Sequence, residues 1–422
     1  MGWGRGAAVA APEAQASHYD GAAQQVQGSE TSNSGRKTLV RWVCHTPRSY
    51  LRTSIMRFRT FIAVGALGLT AVVAAELAAR VDDWIRSDVP FTHTPDYDHD
   101  LKLQDWFGTR GRPNGHYEKW RLDNFGFRGP DVTLAPPPDC TRIMVLGASE
   151  TFGLYESDGQ EYPAQLADSL RSRGCYQVIN AAIVGAGLRA QLRLWENYLT
   201  RFRPGVVLIY PSPTYYLGAA DPSRAWAPMP GRAVPSRPVP PRPRLLEKLH
   251  NVIHTPDIIQ RRRLARWIVR DTAGKPASWF FRTPPESRLD DFMSDLDTLV
   301  RSVRASGATP VIMTHAMRFT VPPQDANDIL LLAWHQYTDR ATIPALLNFE
   351  LEAAERMRTY AKCNDVGLID IQRRVGGRAD LFGDFVHFDD RGSSVVAGAI
   401  ASRLPKVLLA AGDSQASRNV GY

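Results

Sequence analysis

The stretch Arg142-Ile-Met-Val-Leu-Gly-Ala-Ser-Glu-Thr-Phe-Gly153 is a short apolar run that breaks at Gly147 and leaves a hydroxyl, Ser149, where a buried strand would end. A continuous apolar run of this length, bounded by a glycine, reads as a strand of a covered parallel sheet. Serine is a poor nucleophile near neutral pH and needs an adjacent base. Asp384-Phe-Val-His387 offers one far downstream, an imidazole with a carboxylate three residues before it. Such a carboxylate can fix the imidazole tautomer and stabilise the imidazolium. Read singly, Ser149 also suits a helix N-cap, Asp384 a turn or cap with Asp389 and Asp390 as neighbours, and His387 a surface position near a helix start. Only the three together argue for nucleophilic acyl transfer.

Outward from Gly147 the chain alternates. Ile143–Leu146 reads as a strand, Tyr162, Leu166 and Leu170 recur at helical spacing, and Gly174 suits a helix stop. Gln177–Asn180 is a second strand, Leu188–Phe202 a helix, and Val206–Tyr210 a continuous apolar strand. The alternation pauses at Gly218. Residues 218–288 form a Pro- and Arg-rich insertion, with helix expected within Leu245–Ile268. It then resumes with an amphipathic helix on Leu289, Phe292, Leu296, Leu299 and Val303. Thr309–Met313 reads as a strand, Leu346–Lys362 as a helix, Val366–Ile371 as a strand and Ser393–Leu409 as a closing helix. This rhythm predicts an α/β fold, a doubly wound parallel sheet with helices on both faces. Sites in such sheets lie beyond the C-terminal strand ends. Ser149, the 181–187 loop, the 211–217 loop and His315 all fall there, His315 with a structural or solvent-facing role expected ahead of a substrate contact.

The chain has 422 residues and a formal charge of +8. That charge is concentrated. Seven basic and no acidic residues lie between Arg36 and Arg59, and Arg261-Arg-Arg263 with Arg266 and Arg270 form a second run. Neither is accompanied by zinc-finger spacing or an RNA-binding aromatic motif, so no nucleic-acid partner is expected. The first run flanks Thr60–Ala79, 20 residues with Glu76 as their only charge. A helix of that length reaches about 30 Å and can span a bilayer core. The basic flank places the N-terminus in the cytoplasm and the remainder outside an inner or plasma membrane. The same features also suit a signal peptide starting at Met56 and cleaved for secretion. The second basic run reads as a solvated helix face or as a contact for a membrane surface or anionic glycan.

The expected organisation is therefore a disordered or misassigned extension over 1–55, a signal anchor over 56–80 with the membrane at residues 60–79, a lead-in over 88–140, an enzyme-like domain over 141–410 carrying the 218–288 insertion, and a disordered tail over 411–422. Cys140 and Cys175 precede the first two strands. If those strands are neighbours, the thiols meet at one sheet edge and can oxidise after export. There is no repeat, dinucleotide fingerprint, phosphate loop or metal-ligand spacing. No metal or organic cofactor is expected.

These residues resemble the SGNH/GDSL hydrolase superfamily of serine esterases and acyltransferases. Gly147-Ala-Ser-Glu-Thr-Phe-Gly153 looks like its first block, Asn180-Ala-Ala-Ile-Val-Gly185 its second, and Asp384-Phe-Val-His387 its last. Asn124-Phe-Gly-Phe-Arg-Gly-Pro130 is similar to a segment of membrane-anchored members. The resemblance covers about residues 121–217 and 289–410. It implies a flavodoxin-like three-layer α/β/α sandwich, a Ser149–His387–Asp384 triad, and oxyanion donors on the N–H groups of Ser149 and Gly185. It further implies an acyl-ester substrate, an acyl or acetyl ester of envelope carbohydrate or lipid. Two blocks depart from the pattern. Ala148 replaces the usual Asp. The third block, usually Gly-x-Asn-Asp, reads Tyr210-Pro-Ser-Pro-Thr214 and lacks the Asn that gives a third oxyanion donor. Ser212 or Thr214 is the candidate replacement. An uncompensated loss implies a slow enzyme or, as the alternative reading, a non-catalytic envelope-binding or assembly domain.

Overall fold

Five of the apolar runs form one parallel sheet: β1 (Thr141–Gly147), β2 (Tyr176–Asn180), β3 (Val206–Tyr210), β4 (Thr309–Met313) and β5 (Gly367–Ile369), in the order β2-β1-β3-β4-β5. All four pairings are parallel. The computed structural model describes residues 48–218, 242–252 and 257–419. The sequence-based expectations for residues 1–47, and for 219–241 and 253–256 of the insertion, lie outside that range.

The period of two along each strand splits the core into two layers. Met144, Leu146, Val207, Ile209 and Ile312 face one side. There they pack on α4 (Leu188–Asn197), α7 (Glu286–Ala305) and α9 (Ile343–Cys363), through Trp195, Phe292 and Phe349 among others. Ile143, Val145, Leu208, Val311 and Ile369 face the other side, against α3 (Tyr162–Leu170) and α11 (Asp390–Asn419). The result is the expected α/β/α sandwich. The order 2-1-3-4-5 reverses direction between β1 and β3, so the topological switch point, where open α/β sheets place their sites, lies beyond their C-terminal ends.

Four boundaries differ from the sequence reading. The last strand stops at Ile369, because Asp370 caps a short helix, α10 (Ile371–Val375), and accepts the N–H of Arg373. Leu188–Phe202 is an α-helix to Asn197 followed by a 3₁₀ turn, Leu199–Phe202. An unanticipated helix, α8 (Ile329–Tyr337), starts at Asp328, whose carboxylate accepts the Leu330 N–H. α11 continues to Asn419, so most of the stretch expected as a disordered tail is helical.

The lead-in is not featureless. It forms two small antiparallel hairpins, Lys102–Asp105 with Gly108–Gly111 and His116–Tyr117 with Trp120–Arg121. From Asn124-Phe-Gly-Phe-Arg-Gly-Pro130 it sends Phe127 into the core and buries Arg128 at 5% exposure. Residues 133–135 are tied to β1 by Arg142, whose guanidinium donates to the carbonyls of Leu134, Phe202, Thr133 and Ala135 and to Gln177. A buried charge is tolerable only when its donors are satisfied in this way.

Cys140 and Cys175 are disulfide-bonded, with Cα atoms 4.5 Å apart across the adjoining starts of β1 and β2. Their sequence separation of 35 puts the loop-closure contribution at about 4 kcal/mol. Reduction of the full chain is expected to lower the urea midpoint accordingly. An unchanged midpoint would show that the bridge constrains nothing the unfolded chain would otherwise sample.

The chain divides into two units, one comprising residues up to Thr94 with 241–254, the other the remainder. In the first, α1 (Arg48–Ser87) contains the stretch Phe58–Arg86, long and apolar enough to cross a membrane. It exposes Phe61, Leu67, Leu69 and Val72. α5 (Arg244–Val252) is pinned to it. The Glu76 carboxylate accepts the N–H groups of Arg244 and Leu245 at the start of α5. Arg244 pairs with Asp83, and Lys248 with Asp82 and Asp83.

Candidate active site

Ser149 is presented by a tight strand-to-helix turn. A side chain at Gly147 would place its Cβ 2.0 Å from the Thr151 hydroxyl, so only glycine fits there. The turn opens a one-turn helix, α2 (Ser149–Phe152), whose N-cap is Ala148 and not Ser149. The capping reading of Ser149 therefore does not hold. The helix stops at Gly153 in the left-handed region, φ +88. The lead-in clamps that end. Arg128 donates to the carbonyls of Phe152 and Gly153, Trp120 Nε1 donates to Gly153 at 3.0 Å, and Arg128 pairs with Glu161 at 3.0 Å. A cation on the last carbonyls of a helix is favourable, and here it holds the turn that carries Ser149.

Asp384 and His387 come from the loop before α11. The Asp384 carboxylate makes three bonds. One oxygen accepts the N–H of Val386 at 3.0 Å and of His387 at 2.9 Å, and the other meets His387 Nδ1 at 2.7 Å. The competing carboxylates are engaged elsewhere: Asp389 accepts from Gly392 and Asp390 from Ser157. Burial acts to raise Asp384, but the charge and hydrogen bonds of His387 outweigh it and hold the carboxyl below its usual range. Burial likewise acts to lower His387, and the Asp384 carboxylate outweighs it, so the imidazole sits above its ordinary value. His387 is 8% exposed, and its Nε2 is a buried nitrogen with no hydrogen-bond partner among the described residues. With Nδ1 held by a carboxylate, Nε2 is the atom free to exchange a proton. The ring packs against Tyr155 and Phe385, at centroid distances of 5.7 and 6.0 Å.

Ser149 is 7% exposed, and its hydroxyl lies 3.4 Å from the carboxylate of Glu150. Glu150 is the common neighbour of the two halves of the site, since its charge also acts on His387. No hydrogen bond joins Ser149 directly to His387 among the described residues. Gly185, at φ +84, has no neighbour among the described residues within 4 Å of the position a Cβ would take. Its loop follows β2, beside the turn after β1, and Ile183 N–H donates to the Gly147 carbonyl at 3.3 Å.

Beneath Ser149 lies a buried ionic cluster that the sequence reading did not assemble. His315 Nδ1 meets Glu350 at 2.6 Å and Nε2 meets Glu150 at 3.1 Å. All three are buried, His315 at 2% exposure, so a solvent-facing role for it is excluded and the structural one stands. Burial works against the charged forms of His315 and Glu150. The two carboxylates nevertheless keep His315 protonated well above the usual imidazole range, and His315 holds Glu150 down at about 2. Ser212 donates to Glu150 at 2.8 Å, and Thr214 donates to Glu350. This corrects the expectation for Thr214 and Ser212 as replacement oxyanion donors: buried carboxylates are the stronger acceptors, and both hydroxyl protons are committed to them. Glu150 and Glu350 had a visible signal in hindsight. Glu350 is a carboxylate on the same buried stripe of α9 as Leu346, Phe349 and Ala353, and Glu150 directly follows the candidate nucleophile at the end of a buried strand.

No protein-family model matches the sequence, and no curated protein is similar to it. Solved structures are. TesA is 13% identical, with 63% of this chain and 99% of TesA covered and a TM-score of 0.38. The acetylxylan esterase Axe2 from Geobacillus stearothermophilus is 13% identical, with 62% and 93% covered and a TM-score of 0.36. A member of the lipolytic protein G-D-S-L family from Veillonella parvula is 11% identical, with 62% and 97% covered and a TM-score of 0.35. The chain is similar in structure to GDSL-type hydrolases. Likeness at this level assigns no activity.

Proposed function

We propose that the chain is a serine ester hydrolase or O-acyltransferase in which Ser149 attacks an acyl carbonyl, His387 is the general base and then acid, and Asp384 orients it. The observation that carries this is the Asp384–His387 pair: one imidazole nitrogen fixed by a buried carboxylate, the other buried and without a hydrogen-bond partner among the described residues. In the resting arrangement the serine proton is turned toward Glu150. The mechanism requires that hydroxyl to turn toward Nε2 of His387, and catalytic hydrogen bonds of free enzymes often tighten only with substrate in place. As the Ser149 oxygen bonds to the carbonyl carbon, its proton passes to His387. The tetrahedral oxyanion is held by the N–H groups of Ser149 and Gly185. The intermediate then collapses, expelling the alcohol with the proton from His387, and water or a second hydroxyl releases the acyl group.

The apolar helix supports an anchored, exported enzyme with its N-terminus in the cytoplasm, and the disulfide supports an oxidising compartment. A substrate class consistent with that placement is an acyl or acetyl ester of envelope carbohydrate or lipid. The test is hydrolysis of a short-chain p-nitrophenyl ester by the full chain in detergent. Wild type is expected to turn over and Ser149→Ala to lose at least about 10³-fold in kcat. Equal rates in the two proteins would remove Ser149 from the mechanism.

A further inference from the structure

The basic run of the insertion falls on α6 (Asp257–Thr272), and the helix sorts it onto one side. α6 packs on α8, and Arg261 donates to the Asn327 carbonyl just before that helix. Leu264, Trp267 and Ile268 are partly buried and mark the packed side. Arg262, Arg263, Arg266 and Arg270 lie away from it, and all four are exposed. Beside them Ile258, Ala265 and Val269 recur at i, i+7 and i+11, which is one line along a helix. Ile258 is 61% and Val269 69% exposed. A line of that span is about 16 Å long. The two carboxylate residues of α6, Asp257 and Asp271, each stand seven residues from Leu264 and so fall on its side of the helix.

The outward face therefore carries four guanidiniums and an apolar line, with no carboxylate of its own. None of the four arginines has an ion-pair partner among the described residues. Exposed arginines on other helices are paired, Arg171 with Asp168 and Arg301 with Asp297. Water solvates arginine well, but it does not favour two large aliphatic side chains standing out beside the charges. An acidic glycan in solution would meet the charge and leave the apolar line wet. An anionic bilayer satisfies both, since phosphates take guanidiniums in a bidentate fit and the acyl boundary takes the aliphatics. The same chain provides for a bilayer, because Phe58–Arg86 of α1 is long and apolar enough to cross one.

We infer that α6 is a second membrane contact, an interfacial helix that docks its domain on anionic phospholipid headgroups. Its axis lies in the plane of the surface. Ile258, Ala265 and Val269 reach about 5–10 Å into the boundary between headgroups and acyl chains, and the arginines hold phosphates. Beneath α6, Trp334 of α8 stacks on Phe385, and Phe385 packs against His387, at centroid distances of 5.6 and 6.0 Å. The docked flank is thus the one that supports the proposed base, which suits an ester held in the bilayer. That consequence for the substrate rests on the serine-hydrolase reading above, whereas the docking does not.

The experiment reads docking without turnover. The full chain, with Cys44→Ser and Cys363→Ser, carries an environment-sensitive fluorophore on Val269→Cys. It is reconstituted into vesicles of phosphatidylcholine alone or with about one-third phosphatidylglycerol. In the anionic vesicles the emission is expected to shift to the blue and to be quenched by brominated acyl chains. In phosphatidylcholine it should stay that of a dye in water. The shift should be reversed in about 1 M NaCl, where the Debye length is about 3 Å. Replacing Arg262, Arg263, Arg266 and Arg270 together by Gln is expected to lower the docked-to-free ratio about fivefold per charge, on the order of 10²–10³-fold in all. A coincident thermal unfolding curve shows that this variant is folded, and if it is not, the lipid and salt comparisons on the chain with its arginines intact carry the test. Ser149→Ala is expected to leave the response unchanged, so a failure of the hydrolase reading and a failure of the docking are told apart. A dye that stays in water on anionic vesicles overturns the proposal. An equal shift in both lipids, untouched by salt, also overturns it, because no charge is then recognised. A shift produced by soluble polygalacturonate but not by anionic vesicles assigns α6 to an acidic glycan instead.

Discussion

His387→Ala is expected to lower kcat on an ester substrate by about 10⁴-fold or more, because it removes the base proposed to take the Ser149 proton. The companion Asp384→Asn is more informative, since it leaves the imidazole in place. In wild type, kcat/KM rises with pH as His387 loses its proton, the neutral ring being the base. The Asp384 carboxylate raises that pKa above the ordinary value of about 6.5, so the rising limb lies on the alkaline side of 6.5. With asparagine the charge is gone while burial still disfavours the imidazolium. The limb is expected to move to lower pH, and the plateau to fall by up to about 10⁴-fold through the wrong tautomer. A pH–rate series on the two proteins checks this. A limb that stays in place would mean that Asp384 does not govern the base.

The second large effect concerns stability. His315→Ala leaves Glu150 and Glu350 buried without their shared cation. Breaking a buried ion pair by removing one partner costs about 3–5 kcal/mol. The signs fix the pH dependence. Glu150 is depressed in the folded state, so its contribution is present above the unfolded carboxyl pKa of about 4.3 and fades as pH falls toward 2. His315 is raised, so its contribution is complete below the unfolded imidazole pKa of about 6.5 and is lost as pH rises through the folded one. Wild type therefore gains most from the cluster between about pH 4.5 and 6.5. In His315→Ala the burial that acts to raise Glu150 is no longer opposed by the imidazolium, so the variant is least impaired where that carboxyl can take a proton. The urea midpoint deficit is expected to be larger at pH 7 than at pH 4.5, and His315→Ala/Glu350→Ala should recover part of it. A deficit that does not change with pH would mean that the cluster is not ionic.

The fold was largely legible because each strand carried its own signal. Val206–Tyr210 and Thr309–Met313 are continuous apolar runs, and the sheet used them over the lengths expected. What escaped was set by single polar side chains or by distance. The early stop at Ile369 depends on Asp370 capping α10, a competition that apolar periodicity does not register. The helix at Ile329–Tyr337 is apolar nearly all round, so it has no period to detect. Around the site, Ser149 and the Asp384–His387 pair could be named because their spacing is local. The Glu150–His315–Glu350 cluster could not, since its members lie 165 and 35 residues apart and meet only once the sheet is wound. That cluster also explains why the 211–217 loop misled: Ser212 and Thr214 look like spare hydroxyls until the carboxylates beside them are seen.

The central claim is that one serine in 422 residues is activated for covalent attack. Incubating the full chain with a fluorophosphonate and mapping the modified peptide by mass spectrometry tests it directly. A single phosphonyl adduct on Ser149 is expected, formed faster as pH rises through the His387 limb and absent in His387→Ala. An adduct on another residue, or one on Ser149 that forms equally fast without His387, would contradict it.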